Sequence, residues 1–400
     1  MIKNIYVPDI GDFDEVEIIE IHVSIGEKIE LDQSLITLES DKAAMEIPSS
    51  DAGTIKEINI QIGQNVSQGD LILKIDTEET KKELTPEKEK INETIKENVD
   101  AQVVVLGAGP GGYTAAFRAA DLGLKTILIE RYPLLGGVCL NVGCIPSKAL
   151  LHISKVKSEI EELKEHGIEL GSGNPDAKSV RSWTESIINK LTSGLKAMAK
   201  KRKIEIVEGL GTFSSPNSIE VNNNGETKTI RFDSAIIAAG SQASKLPFLP
   251  DDPRIMDSTD ALLLENIPNR MLVIGGGIIG LEMATVYASM GCKITIVEML
   301  ESLISECDKD IVRPLEKRIK KIYEKIYLKT GVTSVVAKKS GLEVSFEGKN
   351  APEKDLFDAI LVAVGRTSNG NKIGADKAGV NVDNRGFISV DNQQRTNVAN

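Results

Sequence analysis

The sequence predicts a multidomain protein in which a small all-β domain precedes two α/β domains. Three observations support this prediction. Short apolar runs that alternate with polar residues fill residues 1–77, a pattern typical of strands with one buried face. A strand–helix–strand pattern begins near residue 101 and returns at residues 271–298. The charged stretch at residues 78–97 separates the β-rich part from the first α/β pattern and could be a solvated helix or a flexible tether.

The β-rich part contains a weak internal repeat with a spacing of 37 residues. Two similar halves predict two sheets related by a pseudo-twofold axis, with hairpin turns between them. The repeated positions are Gly26, Ile29, Leu35, Ile36 and Leu38, followed by Gly63, Val66, Ile72, Leu73 and Ile75.

Charge and hydropathy exclude several classes of function. The 400 residues have a net charge of −11, and residues 1–77 alone contain sixteen acidic side chains against five lysines. An acidic first domain argues against nucleic-acid binding and favours either attraction to basic partner surfaces or simple solubility. No apolar run approaches the ~18–20 residues of a membrane span, and the N-terminus does not resemble a signal peptide. We therefore expect a cytoplasmic protein without membrane contact.

Both α/β patterns carry a glycine fingerprint. In the first, a buried strand leads into Gly107-x-Gly109-x-x-Gly112, a helix follows, and Glu130 ends the next strand. Such glycines permit a tight turn and a close approach of the backbone to a pyrophosphate at the helix N-terminus. The carboxylate can accept hydrogen bonds from a ribose. This pattern predicts a Rossmann-like dinucleotide-binding domain.

The second fingerprint repeats the first. It reads Gly275-x-Gly277-x-x-Gly280, and Glu298 lies 23 residues after its first glycine, as Glu130 does in the first fingerprint. A carboxylate at this position would repel a 2′-phosphate, which favours NAD over NADP. The alternative, an α/β domain that binds nothing, does not account for two matched fingerprints.

Two cysteines lie close together between the fingerprints. Cys139 and Cys144 are separated by four residues, and Pro146 can open a helix just after Cys144. A helix N-terminus lowers the pKa of a neighbouring thiol, because the helix dipole and free N–H groups favour the thiolate. The alternatives are two buried thiols or half of a zinc site. No second Cys or His pair follows at zinc spacing, so we expect no metal and interpret the cysteines as a redox pair.

Two dinucleotide folds with a C-x₄-C pair resemble the pyridine nucleotide–disulfide oxidoreductases, and CLNVGCIPSKALLH is similar to their lipoamide-oxidising branch. The resemblance implies FAD on the first fingerprint, NAD on the second, and a disulfide beside the flavin. It implies that Cys139 is the interchange thiol that meets the substrate and that Cys144 is the charge-transfer thiol. Lys148 would lie near the flavin and pair with Glu282.

The resemblance covers residues 98–400 and implies their division into domains. It implies an FAD-binding domain at 98–245, an NAD-binding domain at 246–366, β-meander insertions, and a return towards the FAD domain at 367–400. Further matching positions on the flavin side are Gly211 and Gly240, and those on the nicotinamide side are Val332 and Gly365.

The first domain resembles lipoyl domains over residues 1–77, and the resemblance implies an all-β flattened barrel. Lys42 lies in ESDKAAMEIPS, which is similar to a lipoylation site, although a lysine in a turn is usually only a solvated side chain. The resemblance implies lipoyl in amide linkage on Lys42. A fused carrier would raise the effective concentration of dihydrolipoyl groups near the enzyme that oxidises them. The implied partners are lipoyl-bearing subunits of a 2-oxo acid dehydrogenase complex.

The chain ends at DNQQRTNVAN, a phrase that in this family leads into an aspartate-containing flavin strand and an interface domain with a His–Glu base. The family implies a homodimer for the full-length enzyme. Since a general base typically contributes ~10²–10⁴ in rate, we expect these 400 residues to be an incomplete, weakly active form. The alternative is a lipoyl carrier with an inert flavoprotein portion. Glutathione or mercuric reductase activity fits less well, because Glu298 favours NAD.

Overall fold

A computed structural model of the chain describes residues 2–8, 15–30, 33–39, 44–49, 51–77, 99–168 and 176–400. The chain divides into two compact units, residues 1–94 and 95–400. The charged stretch at residues 78–97 lies outside the described residues. None of the helices in the described part of the chain is long and apolar enough to cross a bilayer.

The first unit consists of short antiparallel strands in two four-stranded sheets. The order in one sheet is β1-β8-β6-β3 and in the other β5-β4-β2-β7. Its strands are β1 (Ile2–Tyr6), β2 (Val16–Ile21), β3 (Lys28–Ile29), β4 (Ser34–Glu39), β5 (Ala44–Pro48), β6 (Gly53–Ile58), β7 (Asn65–Val66) and β8 (Leu71–Asp76).

The 37-residue repeat is visible in the hydrogen bonds of this unit. The backbone N–H of Gly26 donates to the carbonyl of Ile55 at 2.8 Å, and that of Gly63 donates to the carbonyl of Ile18 at 2.7 Å. Both glycines have φ near +90°, where a side chain would be strained. The inward residues of both halves form one buried apolar core, to which each buried Ile or Leu contributes about 1.5–3 kcal/mol.

The second unit begins with a six-stranded sheet in the order β11-β10-β9-β14-β13-β12. The first four strands are parallel, whereas β13 and β12 extend the sheet as an antiparallel meander. The elements are β9 (Ala101–Leu106), α1 (Pro110–Asp121), β10 (Thr126–Glu130), α2 (Gly137–Val142), α3 (Cys144–Glu165), α4 (Ala177–Lys201), β11 (Glu205–Glu208), β12 (Leu210–Ser215), β13 (Ser218–Asn223) and β14 (Glu226–Ile237).

A second α/β sheet follows, with five parallel strands in the order β16-β23-β17-β18-β19, and an antiparallel meander β20-β21-β22. The short strands β15 and β24 pair with each other. The elements are β15 (Ser241–Ala243), β16 (Ile255–Met256), α5 (Ser258–Leu262), β17 (Arg270–Ile274), α6 (Ile278–Ser289), β18 (Lys293–Val297), α7 (Lys309–Ile319), β19 (Lys325–Tyr327), β20 (Gly331–Lys338), β21 (Gly341–Glu347), β22 (Lys354–Phe357), β23 (Ala359–Val362) and β24 (Arg366–Ser368).

After β24 the chain packs against the first α/β sheet. Two 3₁₀ helices follow, Gly370–Lys372 and Ala375–Ala378. The N–H of Phe213 donates to the carbonyl of Ile373 at 2.8 Å, and Ile373 is buried in the same core cluster as Phe213. The all-β unit and the two Rossmann-like sheets with meander insertions confirm the predicted fold class.

The core of the second α/β sheet contains three buried groups that can lose a proton, namely Tyr287, Cys292 and Tyr323. Burial raises the pKa of Cys292 to about 12 and that of Tyr323 to about 12. It also raises the pKa of Tyr287. The folded protein therefore holds these protons at pH values where an unfolded chain releases them.

This difference predicts loss of stability in alkali. Unfolded cysteine ionises near pH ~8.5 and tyrosine near ~10, so stability is full below these values and falls as pH rises towards about 12. Each group contributes up to ~1.4 kcal/mol per pH unit to the slope. We expect Cys292→Ala to flatten the pH dependence of thermal unfolding between pH 8 and 11. Fluorescence of Trp183, the only tryptophan of the chain, measures this unit.

The exposed Cys307 provides the control, because Cys307→Ala should leave the pH dependence as in the unsubstituted chain. An identical slope for Cys292→Ala and the unsubstituted chain would contradict the expectation.

Candidate active site

A cavity of about 1290 Å³ in the second unit is lined by both α/β sheets. It brings together residues that lie far apart in the sequence. Of the predicted residues, those that line it are Gly107, Gly109, Glu130, Cys139, Cys144, Lys148, Gly211, Gly240, Gly275, Gly277, Glu282, Glu298, Val332 and Gly365. Gly112 and Gly280 are absent from the lining, and their surroundings explain why.

The first glycine loop joins β9 to α1 with very little space. Gly107 has φ +104°, and a Cβ on it would lie 2.3 Å from the carbonyl oxygen of Ala238. A Cβ on Gly112 would lie 1.7 Å from the carbonyl oxygen of Gly107. Gly112 therefore permits contact between helix and strand beneath the loop. Gly109 differs, since its Cβ would meet only Gly137 Cα at 3.9 Å.

The second loop, between β17 and α6, has the same construction. Gly275 has φ +109°, and its Cβ would lie 2.3 Å from the carbonyl oxygen of Ala363. A Cβ on Gly280 would lie 2.3 Å from the carbonyl oxygen of Gly275, whereas Gly277 has no atom within 4 Å of its Cβ position. The third glycine again serves packing, and the second faces open space in the cavity.

Both loops fit a dinucleotide. α1 and α6 begin after Gly109 and Gly277, and neither N-terminus has a side-chain cap. The first N–H groups of a helix need acceptors from outside the helix, and a pyrophosphate supplies them. The room beside Gly109 and Gly277 would allow that close approach.

The acids at the strand ends have a second function that sequence reasoning missed. Glu130 Oε2 accepts the N–H of Ala108 at 2.7 Å, and Glu298 Oε2 accepts the N–H of Gly276 at 2.7 Å. Each carboxylate therefore braces its own glycine loop, while lone pairs are left for a ribose. The equal spacing of acid and glycine in the two fingerprints was the available signal.

The two cysteines lie at the junction of α2 and α3. Cys139 belongs to α2 and is half-buried, whereas Cys144 is the first residue of α3 and is exposed. The helix thus begins at Cys144 itself rather than after it. The chain turns sharply at Gly143, where a Cβ would lie 2.8 Å from the carbonyl oxygen of Val138. Both cysteines are free thiols in the structure.

Burial raises the pKa of the Cys139 thiol, and a hydrogen bond with Cys144 raises it further. The nearby cation of Lys148 acts in the opposite direction. The expectation of a lowered thiol pKa thus does not extend to Cys139, because loss of hydration outweighs the backbone hydrogen bond at Cys144 and the cation of Lys148.

Lys148 connects the two α/β sheets. Its Nζ donates to Glu282 Oε1 on α6 at 2.8 Å, and this bond raises the pKa of the ammonium group. Further along the same helices, Ser289 Oγ donates to Ser154 Oγ at 2.9 Å, and Lys157 donates to the carbonyl of Ser289. These contacts fix the helix of Cys144 to both ends of α6, the helix of the second glycine loop.

The turns after β14 and β23 complete the cavity. Gly240 has φ +65° and Gly365 has φ +124°, and no atom lies within 4 Å of either Cβ position. Arg366 joins the two turns through bonds to Ser241, from Nε to Oγ at 2.8 Å and from Nη2 to the carbonyl at 2.7 Å. Sequence reasoning did not predict this connection.

The predicted lipoyl site lies outside the described residues. Glu39 at the end of β4 pairs with Ala44 at the start of β5, and Lys42 falls among the residues between them that the structure does not describe. Within the described residues, no group of three or more His, Cys, Asp or Glu side chains could hold a metal ion.

Comparison with known proteins agrees with this geometry. Fold and cavity define a protein with two dinucleotide-binding folds and a dithiol between them. Residues 101–400 match the family of pyridine nucleotide-disulphide oxidoreductases. The chain belongs to this family. Residues 3–75 match the family described as biotin-requiring enzyme, which confirms the lipoyl-type fold of the first unit.

Individual relatives are similar over about three quarters of the chain. The dihydrolipoyl dehydrogenases of Vibrio parahaemolyticus and Vibrio cholerae are 56% and 57% identical over 306 residues, or 76% of this chain. The chain spans 64% of the length of each of them. The HOCl-induced flavoprotein disulfide reductase RclA from Escherichia coli, solved as a Cu(II) complex, is 26% identical with a TM-score of 0.66. That match covers 76% of this chain and 65% of RclA.

The glycine loops predict opposite effects for two similar substitutions. Gly277 has φ −79° and no neighbour at its Cβ position, so Gly277→Ala should leave thermal stability unchanged. The added methyl should weaken NAD binding about tenfold or more, because it occupies the space that a pyrophosphate needs. Gly280→Ala should destabilise the unit by about 3 kcal/mol or more through its clash with Gly275. Calorimetric NAD titration and thermal unfolding distinguish the two; equal NAD affinity for Gly277→Ala and the unsubstituted chain would refute the assignment.

The Lys148 cation predicts the reactivity of Cys139. Because the cation lowers the pKa of that thiol, Lys148→Met should raise the pKa further and slow alkylation by iodoacetamide several-fold at pH 8. Peptide mass spectrometry measures the rate for Cys139. Lys155→Met is the matched control, because Lys155 lies on the same helix and pairs with Glu159 at 3.7 Å. Equal alkylation rates in both variants would be inconsistent with a role for Lys148.

Proposed function

We propose that this chain carries the dihydrolipoyl dehydrogenase activity of a 2-oxo acid dehydrogenase complex. It would oxidise protein-bound dihydrolipoyl groups and pass the electrons to NAD. The observation that supports this proposal most strongly is that Cys139 and Cys144 line the same cavity as both glycine loops. The names of the two Vibrio relatives support the same activity.

Each loop would hold one cofactor. Gly107 and Gly109, braced by Glu130, would hold FAD, and Gly275 and Gly277 with Glu298 would hold NAD. The flavin, when bound, would supply two-electron transfer between the dithiol and the nicotinamide. We propose domain boundaries at 98–245 and 246–366, with residues 367–400 belonging again to the FAD side.

The cysteines would exchange their disulfide with the substrate. A dihydrolipoyl thiolate attacks the sulfur of Cys139, the Cys139–Cys144 bond breaks, and Cys144 leaves as a thiolate. The second substrate thiol then displaces Cys139 from the mixed disulfide. The substrate becomes a cyclic disulfide, and its two electrons reside on the cysteine pair. Cys144 is the first residue of α3 and so lies at the N-terminal end of that helix.

Lys148 would balance the negative charge that develops on the cysteine pair. The hydrogen bond with Glu282 raises the pKa of Lys148, and both cysteines raise it further, so the ammonium remains protonated as the thiolate forms. Glu282 holds that cation in place at 2.8 Å. The charge is therefore compensated by a group already fixed, and no group has to reorient.

The first unit suggests the partners. Its separate apolar core and its match over residues 3–75 favour a lipoyl carrier with the cofactor on Lys42. The substrates would be this lipoyl group and those of other lipoyl-bearing subunits. We also propose a homodimer for the full-length enzyme and a cytoplasmic location. A role as lipoyl carrier alone is the second candidate function. It is supported by the same observation, namely that the first unit has its own apolar core.

A single-turnover assay tests the activity. The chain, with Cys139 and Cys144 oxidised and FAD bound, should convert one equivalent of dihydrolipoamide to lipoamide and then reduce added NAD. Cys139→Ser and Cys144→Ser should abolish this conversion, since neither variant can form the disulfide. Cys292→Ala removes a buried thiol that does not line the cavity, so this variant should retain the full conversion. Undiminished oxidation by Cys139→Ser would disprove the mechanism, and a mass increase on Lys42 tests the carrier role.

A further inference from the structure

Most buried polar side-chain atoms in the described residues have hydrogen-bond partners, and a few do not. An unpaired buried acceptor costs about 1–3 kcal/mol, so each exception requires an explanation. The unpaired atoms are Ser34 Oγ, Asn141 Oδ1, Arg181 Nε, Thr295 Oγ1 and Asn369 Oδ1. Of these residues, Asn369 alone lines the cavity.

Asn369 follows β24 and is fixed to the turn after β14. It is only 4% exposed. Its backbone N–H donates to the carbonyl of Gly240 at 3.0 Å, and its Nδ2 donates to the carbonyl of Ala239 at 2.9 Å. The amide group is thereby held in one orientation. Its Nδ2 group donates to the protein backbone, whereas Oδ1 accepts no hydrogen bond from the protein.

The polar groups next to this turn already have partners. Lys372 Nζ donates to Gln242 Oε1 at 2.6 Å, and Arg366 donates to Ser241. These are the nearest cations along the same segment of chain, and each is committed to another acceptor. A molecule bound in the cavity can supply the donor that Asn369 Oδ1 lacks.

The position of Asn369 indicates which molecule. The turn at Ala239 and Gly240 stands at the carboxyl end of β14, beside the first glycine loop, where a Cβ on Gly107 would touch the carbonyl of Ala238. Ligands of open α/β sheets bind at the carboxyl ends of the strands. A flavin dinucleotide bound there carries sugar hydroxyl groups, and a hydroxyl is a donor that an amide oxygen can accept.

We infer that Asn369 Oδ1 accepts a hydrogen bond from a sugar hydroxyl of the bound flavin dinucleotide. This inference rests on the proposed function, because it assigns FAD to the first loop. It gives the segment after β24 a direct part in holding the flavin, although this segment follows the second α/β sheet in the chain.

The donor and the acceptor of the Asn369 amide have different partners, so a role in FAD binding can be distinguished from a role in stability. The Nδ2 bond to Ala239 exists with or without FAD, so its loss lowers the stability of both forms equally. The Oδ1 bond exists only with FAD, so its loss reduces the stabilisation that FAD adds. FAD affinity and the FAD-induced shift in melting temperature therefore measure the acceptor alone.

Three variants test this separation in the full chain. Asn369→Ala should weaken FAD binding about tenfold, equal to about 1.4 kcal/mol, and reduce the FAD-induced shift. Asn369→Asp keeps an acceptor but loses the donor, so the chain without FAD should melt at a lower temperature while FAD affinity stays within about threefold. Asn217→Ala is the matched control, because Asn217 Nδ2 donates to the carbonyl of Phe232 on β14 at 3.1 Å away from the cavity lining.

Quenching of flavin fluorescence gives the dissociation constants, and thermal unfolding with and without FAD gives the shifts. Equal FAD affinity of Asn369→Ala and the unsubstituted chain would overturn the inference and leave the proposed function standing. An equal loss in Asn217→Ala would also overturn it, since the cause would then be a weakened strand. If the unsubstituted chain bound no FAD, the inference and the proposed function would fail together.

Discussion

The contact between α3 and α6 is the constraint on which the cavity depends. α3 begins at Cys144 and α6 begins after Gly277, so the packing of these two helices sets the distance between the dithiol and the second glycine loop. The ion pair of Lys148 and Glu282 lies at this contact, but partly exposed pairs contribute only about 0–1 kcal/mol. Burial of an apolar side chain such as Leu150, which is fully buried in the core cluster of α6, contributes about 1.5–3 kcal/mol. Apolar packing thus fixes the positions of the two helices, and the ion pair with Glu282 holds the ammonium group of Lys148 at the cavity.

The glycine loops of the two α/β sheets have the same close packing. In each, the glycine just after a strand has a positive φ, and a Cβ on it would clash with the carbonyl of the alanine just after the neighbouring strand. In each, a carboxylate from the next strand accepts an N–H of the loop. The helix N-terminus is thereby fixed before any ligand arrives, so the orientation of its N–H groups requires no further ordering on binding.

Most of the fold and part of the site could be predicted from short sequence patterns. The fingerprints, the cysteine pair and the 37-residue repeat were predictable because each depends on residues close together in the chain or on a fixed spacing. Asn369 was not predictable, because its partner Ala239 lies 130 residues earlier and a lone asparagine has no motif. The link from Arg366 to Ser241 was missed for the same reason, since these residues are 125 positions apart. The raised pKa of Cys139 depends on burial, which a local motif does not show.

Strand β14 pairs with two different strands along its length. Residues 226–231 pair with β13, which is next to β14 in the sequence, and residues 232–237 pair with β9, some 130 residues away. The hairpin with β13 needs only a short loop and can form early, whereas the pairing with β9 closes a long one. The hairpin would then present a preformed edge for β9 during folding. A one-residue slip in it would turn Ile230 and Phe232 out of the core, so the order of assembly also protects the alignment of the central sheet.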